Sequence, residues 1–279
     1  SYMFADCDKL VYVELKVNSN ITNMSHMFEN CTSLETIVLG SYTANKTTDM
    51  SYMFSHCESL ESINWSGLDI GNAENLSGLF SDCKSLTSVN LSKIITDKVS
   101  DMSNMFTNCE SLTAVDVSGF NTENVISFDG MFSGCTQLSE LDLSCFDTSS
   151  AETMSNFFNG CSFNNLDIKN FNTSNVQDFS GMFTDAVVEN IVCTKAEYDR
   201  YVELGDLKAN NSEITYELGD ANLDGMVDIV DVVLMRQYLS DGPEINIDTF
   251  TADIDADGKV TLKDIVILRE YLVGDIEEL

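Results

Sequence analysis

A two-residue signature returns along most of this chain at nearly constant spacing. It stands as Met3-Phe4, Met27-Phe28, Met53-Phe54, Leu79-Phe80, Met105-Phe106, Met131-Phe132, Phe157-Phe158 and Met182-Phe183. Successive copies lie 24, 26, 26, 26, 26, 26 and 25 residues apart. Recurrence at a fixed period of this size specifies stacked units, each burying its apolar side only against its neighbours. The chain is therefore expected to wind as a solenoid over residues 1–190.

Two periods follow each other inside one unit. Val99, Met102, Met105 and Phe106 have helical spacing and predict a short helix with one apolar face. Leu112, Val115 and Val117 follow an L-x-x-L-x-L pattern whose end alternates as a strand does. A short helix and a short strand per unit is the pattern of a leucine-rich repeat. The expected fold class is an α/β leucine-rich-repeat solenoid, with parallel strands about 4.8 Å apart on the concave side and helices outside. The inward strand register runs Val13/Leu15, Ile37/Leu39, Ile63/Trp65, Val89/Leu91, Val115/Val117, Leu141/Leu143 and Leu166/Ile168. Between these lie Glu14, Val38, Asn64, Asn90, Asp116, Asp142 and Asp167, flanked by Ser62, Ser88, Ala114, Glu140 and Asn165. They predict a polar, increasingly acidic strip without aromatic platforms for sugars.

The signature Asp-Met-Ser-x-Met-Phe-x-x-Cys-x-Ser-Leu at residues 49–60 and 101–112 resembles the BspA-like leucine-rich repeats of bacterial surface proteins. That resemblance spans about two thirds of the chain. It implies display at a surface and binding.

Composition narrows the partners. Net charge is −32, with 46 acidic against 14 basic residues, which repels nucleic acid and anionic membranes. No apolar run reaches the length of a membrane span. A single Pro and 15 Gly argue against long low-complexity linkers. Ser1 falls inside a repeat, so the sequence is read as a fragment whose start, with any signal peptide, lies upstream.

Seven of the nine cysteines (Cys7, Cys31, Cys57, Cys83, Cys109, Cys135 and Cys161) share one register, three residues after the Phe. Stacked coils would hold them as a ladder with parallel Cβ directions, which suits disulfide geometry poorly. They are expected to be reduced, buried, small apolar side chains. No C-x-x-C pair or Cys/His cluster points to zinc, and Cys145 and Cys193 fall outside the ladder. Leu76, Leu79, Phe128, Phe157 and Phe179 replace Met in the Met stripe, which marks core rather than a soft-metal site. Asp116, Asp142 and Asp167 on neighbouring strands would mimic the roughly 5–5.5 Å separation of glycosidase carboxylates. Any repeated acid in a solenoid gains that spacing, and nothing nearby would set their pKa values apart. His26 and His56 have no nucleophile arranged beside them in a familiar motif and are expected to be solvated. The chain is thus read as having no catalytic residues.

After Phe183 the repeat decays, with Ala186 in the cysteine position. Residues 187–192 predict a last strand, and 195–204 a helix with Thr194 as N-cap and Gly205 as its stop. Residues 212–218 alternate as a further strand. The segment 191–218 is read as a cap and connector over the end of the core.

From residue 219 the chemistry changes. Asp220, Asn222, Asp224, Asp228 and Asp231 occupy positions 1, 3, 5, 9 and 12 of an EF-hand calcium loop, with Gly225 at 6 and the carbonyl of Met226 at 7. Asp253, Asp255, Asp257, Thr261 and Asp264, with Gly258 and the carbonyl of Lys259, repeat the pattern 33 residues later. Calcium is a hard cation that takes oxygen ligands, so the cofactor expected is two Ca2+. Position 12 is Asp rather than Glu, and no helix is expected before Asp220, which disfavours a sensor EF-hand. An exit helix follows each loop, at 231–239 and 264–272.

Loop plus exit helix, duplicated over residues 219–279, resembles a type I dockerin of cellulosome systems: a small all-α calcium-binding module. The resemblance implies a cohesin module of a scaffoldin as partner, outside a fibre-degrading anaerobic bacterium. It also implies a recognition surface on Ile229, Val230, Val233, Arg236 and Gln237 of the first copy and Leu262, Lys263, Val266, Arg269 and Glu270 of the second. The whole chain then reads as a non-catalytic, secreted cellulosome component whose repeats bind a protein, cell surface or substrate. The alternatives are the C-terminal part of a cellulosomal glycoside hydrolase or protease with its catalytic module upstream, or a protease inhibitor.

Overall fold

The computed structural model of the chain describes residues 2–15, 20–39, 42–43, 46–64, 68–193, 195–207, 218–224, 226–255, 257–276 and 279. The chain divides into two compact units, Ser1–Ile191 with Arg200–Ser212 and Val192–Asp199 with Glu213–Leu279.

The first unit is a β-solenoid. Its strands are β1 (Tyr12–Leu15), β2 (Thr36–Leu39), β3 (Tyr42–Thr43), β4 (Ser62–Asn64), β5 (Leu68–Asp69), β6 (Ser88–Asn90), β7 (Ala114–Asp116), β8 (Ser162–Asp167) and β9 (Val187–Val192). They pair with neighbouring coils in the orders β1-β2-β4, β3-β5, β6-β7 and β8-β9. The ladders β1-β2-β4, β3-β5 and β6-β7 are parallel. Val13 lies opposite Ile37 and Ile37 opposite Ile63, while Val89 lies opposite Val115, which is the register expected from the period-2 pattern. Leu39, Val89, Leu91, Val117, Leu141, Leu143, Leu166 and Ile168 are buried as that register requires. Trp65, Thr194 and residues 212–217 lie outside the described residues.

The expected helices of the repeats do not form. Among the described residues of 12–192 there are strands, bridges and turns, and helix begins only at α1 (Lys195–Leu204). Where Met24, Met27, Phe28 and Cys31 suggested a helix, the chain makes successive turns. Met27 N–H donates to Met24 O at 3.3 Å and Cys31 N–H to Phe28 O at 3.1 Å. The N–H groups of Met24, His26, Phe28 and Asn30 leave the coil altogether. They donate to the carbonyls of Asp49, Ser51, Met53 and Ser55 at 2.8–2.9 Å. The third residue of each turn has positive φ, +56° at His26 and +60° at Asn30, as type II geometry requires. Successive turns put apolar residues three and four apart just as a helix does, so the spacing could not separate the two.

The core is built of ladders. Phe4, Phe28, Phe54, Phe80, Phe106 and Phe132 stack with centroids 5.2–5.7 Å apart. Beside them runs the cysteine ladder, all free thiols, buried from Cys31 to Cys161. A third ladder is polar. Thr96 Oγ1 donates to Asn121 O and accepts from Asn121 N–H, both at 2.8 Å. Thr122 does the same with Asp147 and Thr148 with Asn172. These threonines are buried, and the reciprocal pair satisfies both groups of the hydroxyl.

On the surface, Asn side chains donate to Asp carboxylates of neighbouring coils. Asn23 donates to Asp49 at 2.8 Å, Asn30 to Asp6 at 2.9 Å, Asn90 to Asp116 at 2.9 Å and Asn108 to Asp82 at 3.0 Å. Isolated parallel bridges run Asn23, Asp49, Asn75, Asp101, Ser127, Thr153 and Asp178. Near the last coil Tyr201 of α1 is buried 5.4 Å from the Phe183 ring, and Phe183 N–H donates to Gly205 O at 2.8 Å. Gly205 N–H in turn donates to Tyr201 O at 3.1 Å, closing the helix where its stop was expected.

The second unit holds α2 (Ile229–Asp241), α3 (Thr249–Ala252) and α4 (Leu262–Leu272). Asp228 and Thr261 cap α2 and α4 with reciprocal capping boxes to Asp231 and Asp264. Ala221, Val232, Met235, Ala252, Ile254, Ile265 and Leu268 form its core. α3 is a single turn of helix just before the second loop.

Candidate metal centre and exposed helix face

Each exit helix turns one carboxylate back into the loop before it. Asp231 is fully buried and accepts from the amides of Ala221 and Asn222 at 2.9 and 3.2 Å and from Asp228 at 2.8 Å. Asp264 is fully buried too, accepting from Asp255 N–H at 3.1 Å and Thr261 N–H at 2.8 Å. Burial raises the Asp231 carboxyl above its ordinary range despite those amides. Burial pushes Asp264 the same way, but the amides of Asp255 and Thr261 prevail and hold it below.

The loops wrap around their own acids. Asp224 N–H donates to Asp220 Oδ1 at 3.1 Å and Met226 N–H to Asp224 Oδ1 at 2.9 Å. In the second loop Asp257 N–H and Gly258 N–H donate to the two oxygens of Asp253 at 3.1 and 2.7 Å, and Lys259 N–H to Asp257 Oδ1 at 3.0 Å. Gly258 has φ +86°, the left-handed value that the sharp turn of such a loop demands of glycine. Carboxylate oxygens of Asp253, Asp255 and Asp257 lie within 4.8 Å of one another. Asp255 Oδ2 is sheltered and forms an ion pair with the Lys263 ammonium. Converging carboxylate oxygens of this kind fit calcium, a hard cation. Asp220, Asn222, Asp224, Asp228 and Asp231 would hold one ion, with the carbonyl of Met226. Asp253, Asp255, Asp257, Thr261 and Asp264 would hold the other, with the carbonyl of Lys259. A bound calcium ion would supply the positive charge that offsets repulsion among the clustered carboxylates.

The residues singled out on the exit helices are all exposed. Ile229, Val230, Val233, Arg236 and Gln237 share a face of α2, and Leu262, Lys263, Val266, Arg269 and Glu270 the equivalent face of α4. The buried sets also correspond: Asp231, Val232 and Met235 in α2, Asp264, Ile265 and Leu268 in α4. Exposed aliphatics such as Ile229 and Leu262, 64% and 69% accessible, form an unpartnered apolar surface on each helix.

The acidic strip of the solenoid is put to structural use. Asp116 accepts from both the hydroxyl and the amide of Ser118, and Asp142 from the amide of Ser144. Those serines hold both carboxyls below the usual range. The two shifts run in the same direction, the opposite of an acid/base pair. His56 is exposed, 3.8 Å from Asp82. His26 departs from expectation: it is half-buried between Tyr2 and Tyr52, with centroids 4.6 and 5.3 Å away. Its ring Nδ1 meets Glu29 at 3.0 Å.

The family model for type I dockerin domains matches residues 218–273. No curated protein and no solved structure matches the chain. The model described as "Mycoplasma protein of unknown function, DUF285" matches twice, over residues 1–114 and 74–196. Those matches together span well over half of the sequence, and the chain belongs to that family, its DUF285 solenoid being followed by a type I dockerin domain.

Proposed function

We propose that this protein is a non-catalytic, extracellular subunit of a cellulosome. Its dockerin binds two calcium ions and fastens the chain to a cohesin of a scaffoldin, while the solenoid presents a binding surface to a protein, cell surface or substrate. A type I dockerin implies cohesin binding within a cellulosome-like complex. The observation that carries the reading is the twofold repetition of acidic loop and exit helix, each helix exposing the same five positions. Kinship with BspA-like surface repeats belongs to this proposal and is supported by the signature at residues 49–60 and 101–112. No helix of the described residues is long and apolar enough to cross a membrane. Calorimetry of the full chain against a panel of type I cohesins tests the assignment. Binding in millimolar calcium that vanishes on chelation is expected. Absence of binding across the panel, with calcium present, would overturn it.

A further inference from the structure

The two calcium loops carry the same number of side-chain carboxylates, yet they distribute them differently. The first has Asp220, Asp224, Asp228 and Asp231; the second has Asp253, Asp255, Asp257 and Asp264. Position 3 is Asn222 in one and Asp255 in the other, and position 11 is Val230 in one and Lys263 in the other. These differences are coupled in space. The Lys263 ammonium forms an ion pair with Asp255 Oδ2, while Asn222 Nδ2 instead donates to Asp224 at 2.8 Å. The Asp255 side chain is 9% exposed and that of Lys263 69%, so the lysine reaches in from the surface to a sheltered carboxylate.

We propose that Lys263 is a built-in competitor of calcium at the second loop, lowering that loop's affinity and tying its occupancy to the exposed face of α4. The inference rests on the two-calcium reading above. An ammonium on a ligand carboxylate acts twice against the ion: it occupies one oxygen and adds a like charge beside the metal. Calcium must therefore displace or repel a cation in the second loop, and no equivalent lysine stands at position 11 of the first. Lys263 also lies among the residues expected to meet a partner. A partner carboxylate that draws the ammonium away from Asp255 would strengthen calcium binding, and by linkage calcium would strengthen that contact by the same factor. The loop thus carries a route by which docking and metal binding reinforce each other.

The test is a calcium titration of the full chain labelled with 15N at Met and Lys. The Met226 and Lys259 amides report the two loops separately, since they donate to Asp224 and Asp257 at 2.9 and 3.0 Å. Lys263→Met should tighten the second loop roughly fivefold, the scale of an exposed ion pair, and leave the first unchanged. The gain should shrink in 0.5 M salt, about where screening acts within a few ångströms. A transplant guards against a folding defect: Asn222→Asp with Val230→Lys should bind calcium more weakly in the first loop than Asn222→Asp alone. Two bound ions with the second loop unmoved by Lys263→Met, or a transplant without effect, would overturn this proposal alone. Failure of either loop to bind calcium would overturn it together with the two-ion reading.

Discussion

The thiol of Cys57 donates to the carbonyl oxygen of Phe28, one coil back, at 3.2 Å. The same bond recurs from Cys83 to Phe54, Cys109 to Phe80, Cys135 to Phe106 and Cys161 to Phe132. Phe and Cys therefore keep a common register because the ring fills the core while its own carbonyl receives the next thiol. Serine would fit the geometry but would bring a more polar group into an apolar interior.

Burial also keeps these thiols protonated. It pushes Cys31 up to about 11 and Cys161 up to about 12, while Cys83, Cys109 and Cys135 rise well above the ordinary thiol value. An unfolded thiol ionises near about 8.5. The ladder's contribution is thus complete below that pH and is lost as pH rises toward the folded values, because only the unfolded chain releases protons. Each thiol adds about 1.4 kcal/mol of lost stability per pH unit in that window. Urea unfolding in reductant between pH 8 and 10.5 should show a steep decline, shallower in Cys109→Ala. A flat profile would refute the buried, protonated ladder.

Turn positions give a second prediction. Gly134 has φ +74°, and an added Cβ would sit 2.6 Å from Asn108 Oδ1. Gly134→Ala should cost about 1–2 kcal/mol. His56 has φ +59° and an exposed ring, so His56→Gly should be neutral or gain up to about 1 kcal/mol. Thermal unfolding of the pair decides, and a more stable Gly134→Ala variant would contradict the geometry.

Thr122→Val keeps volume but removes the one hydroxyl that bonds both the N–H and the carbonyl of Asp147, at 2.7 and 2.8 Å. A loss of about 2 kcal/mol is expected. The exposed Thr113, bonded to Thr87 O at 3.1 Å, serves as control: Thr113→Val should stay within about 0.5 kcal/mol. Equal effects at both sites would show that burial is not what makes this ladder matter.

The two exposed helix faces are not alike, since Val230 corresponds to Lys263 and Gln237 to Glu270. One cohesin surface should not accept an apolar side chain and an ammonium equally well at the same point. Calorimetry on Val230→Asp with Arg236→Glu, and on Lys263→Asp with Arg269→Glu, should find cohesin binding abolished in one and nearly intact in the other. Mild and equal losses would mean two interchangeable orientations.

How much of this could be read beforehand depended on whether a pattern has one structural solution. Period-2 alternation at Val13, Ile37 and Ile63 has one, and the strand register followed from it. The two acidic loops were legible because the order of their acids encodes how the chain wraps around them. The helices were not, because Met24, Met27, Phe28 and Cys31 satisfy both a helix and two linked turns. A discriminating signal was present at the positions between them. Residues 26 and 30, 52 and 56, 78 and 82, 104 and 108, 130 and 134 are drawn from Gly, Asn, Asp, His and Tyr, and all have positive φ. Glycine, asparagine and aspartate at two positions four residues apart in each unit favour left-handed turns over helix. The Asp255–Lys263 ion pair lay out of reach, since a long exposed side chain can reach several partners from one backbone position.

The alternation of Asn23, Asp49, Asn75 and Asp101 has a consequence for which coils the stack can lose. Excising the single coil that carries Asn75 would bring Asp49 against Asp101, two carboxylates one strand spacing (about 4.8 Å) apart. Excising the next coil as well would instead set Asp49 beside Ser127, which carries no charge. In this part of the stack, loss of the Asn75 and Asp101 coils together is therefore better tolerated than loss of the Asn75 coil alone, so the alternation decides which coils can be spared.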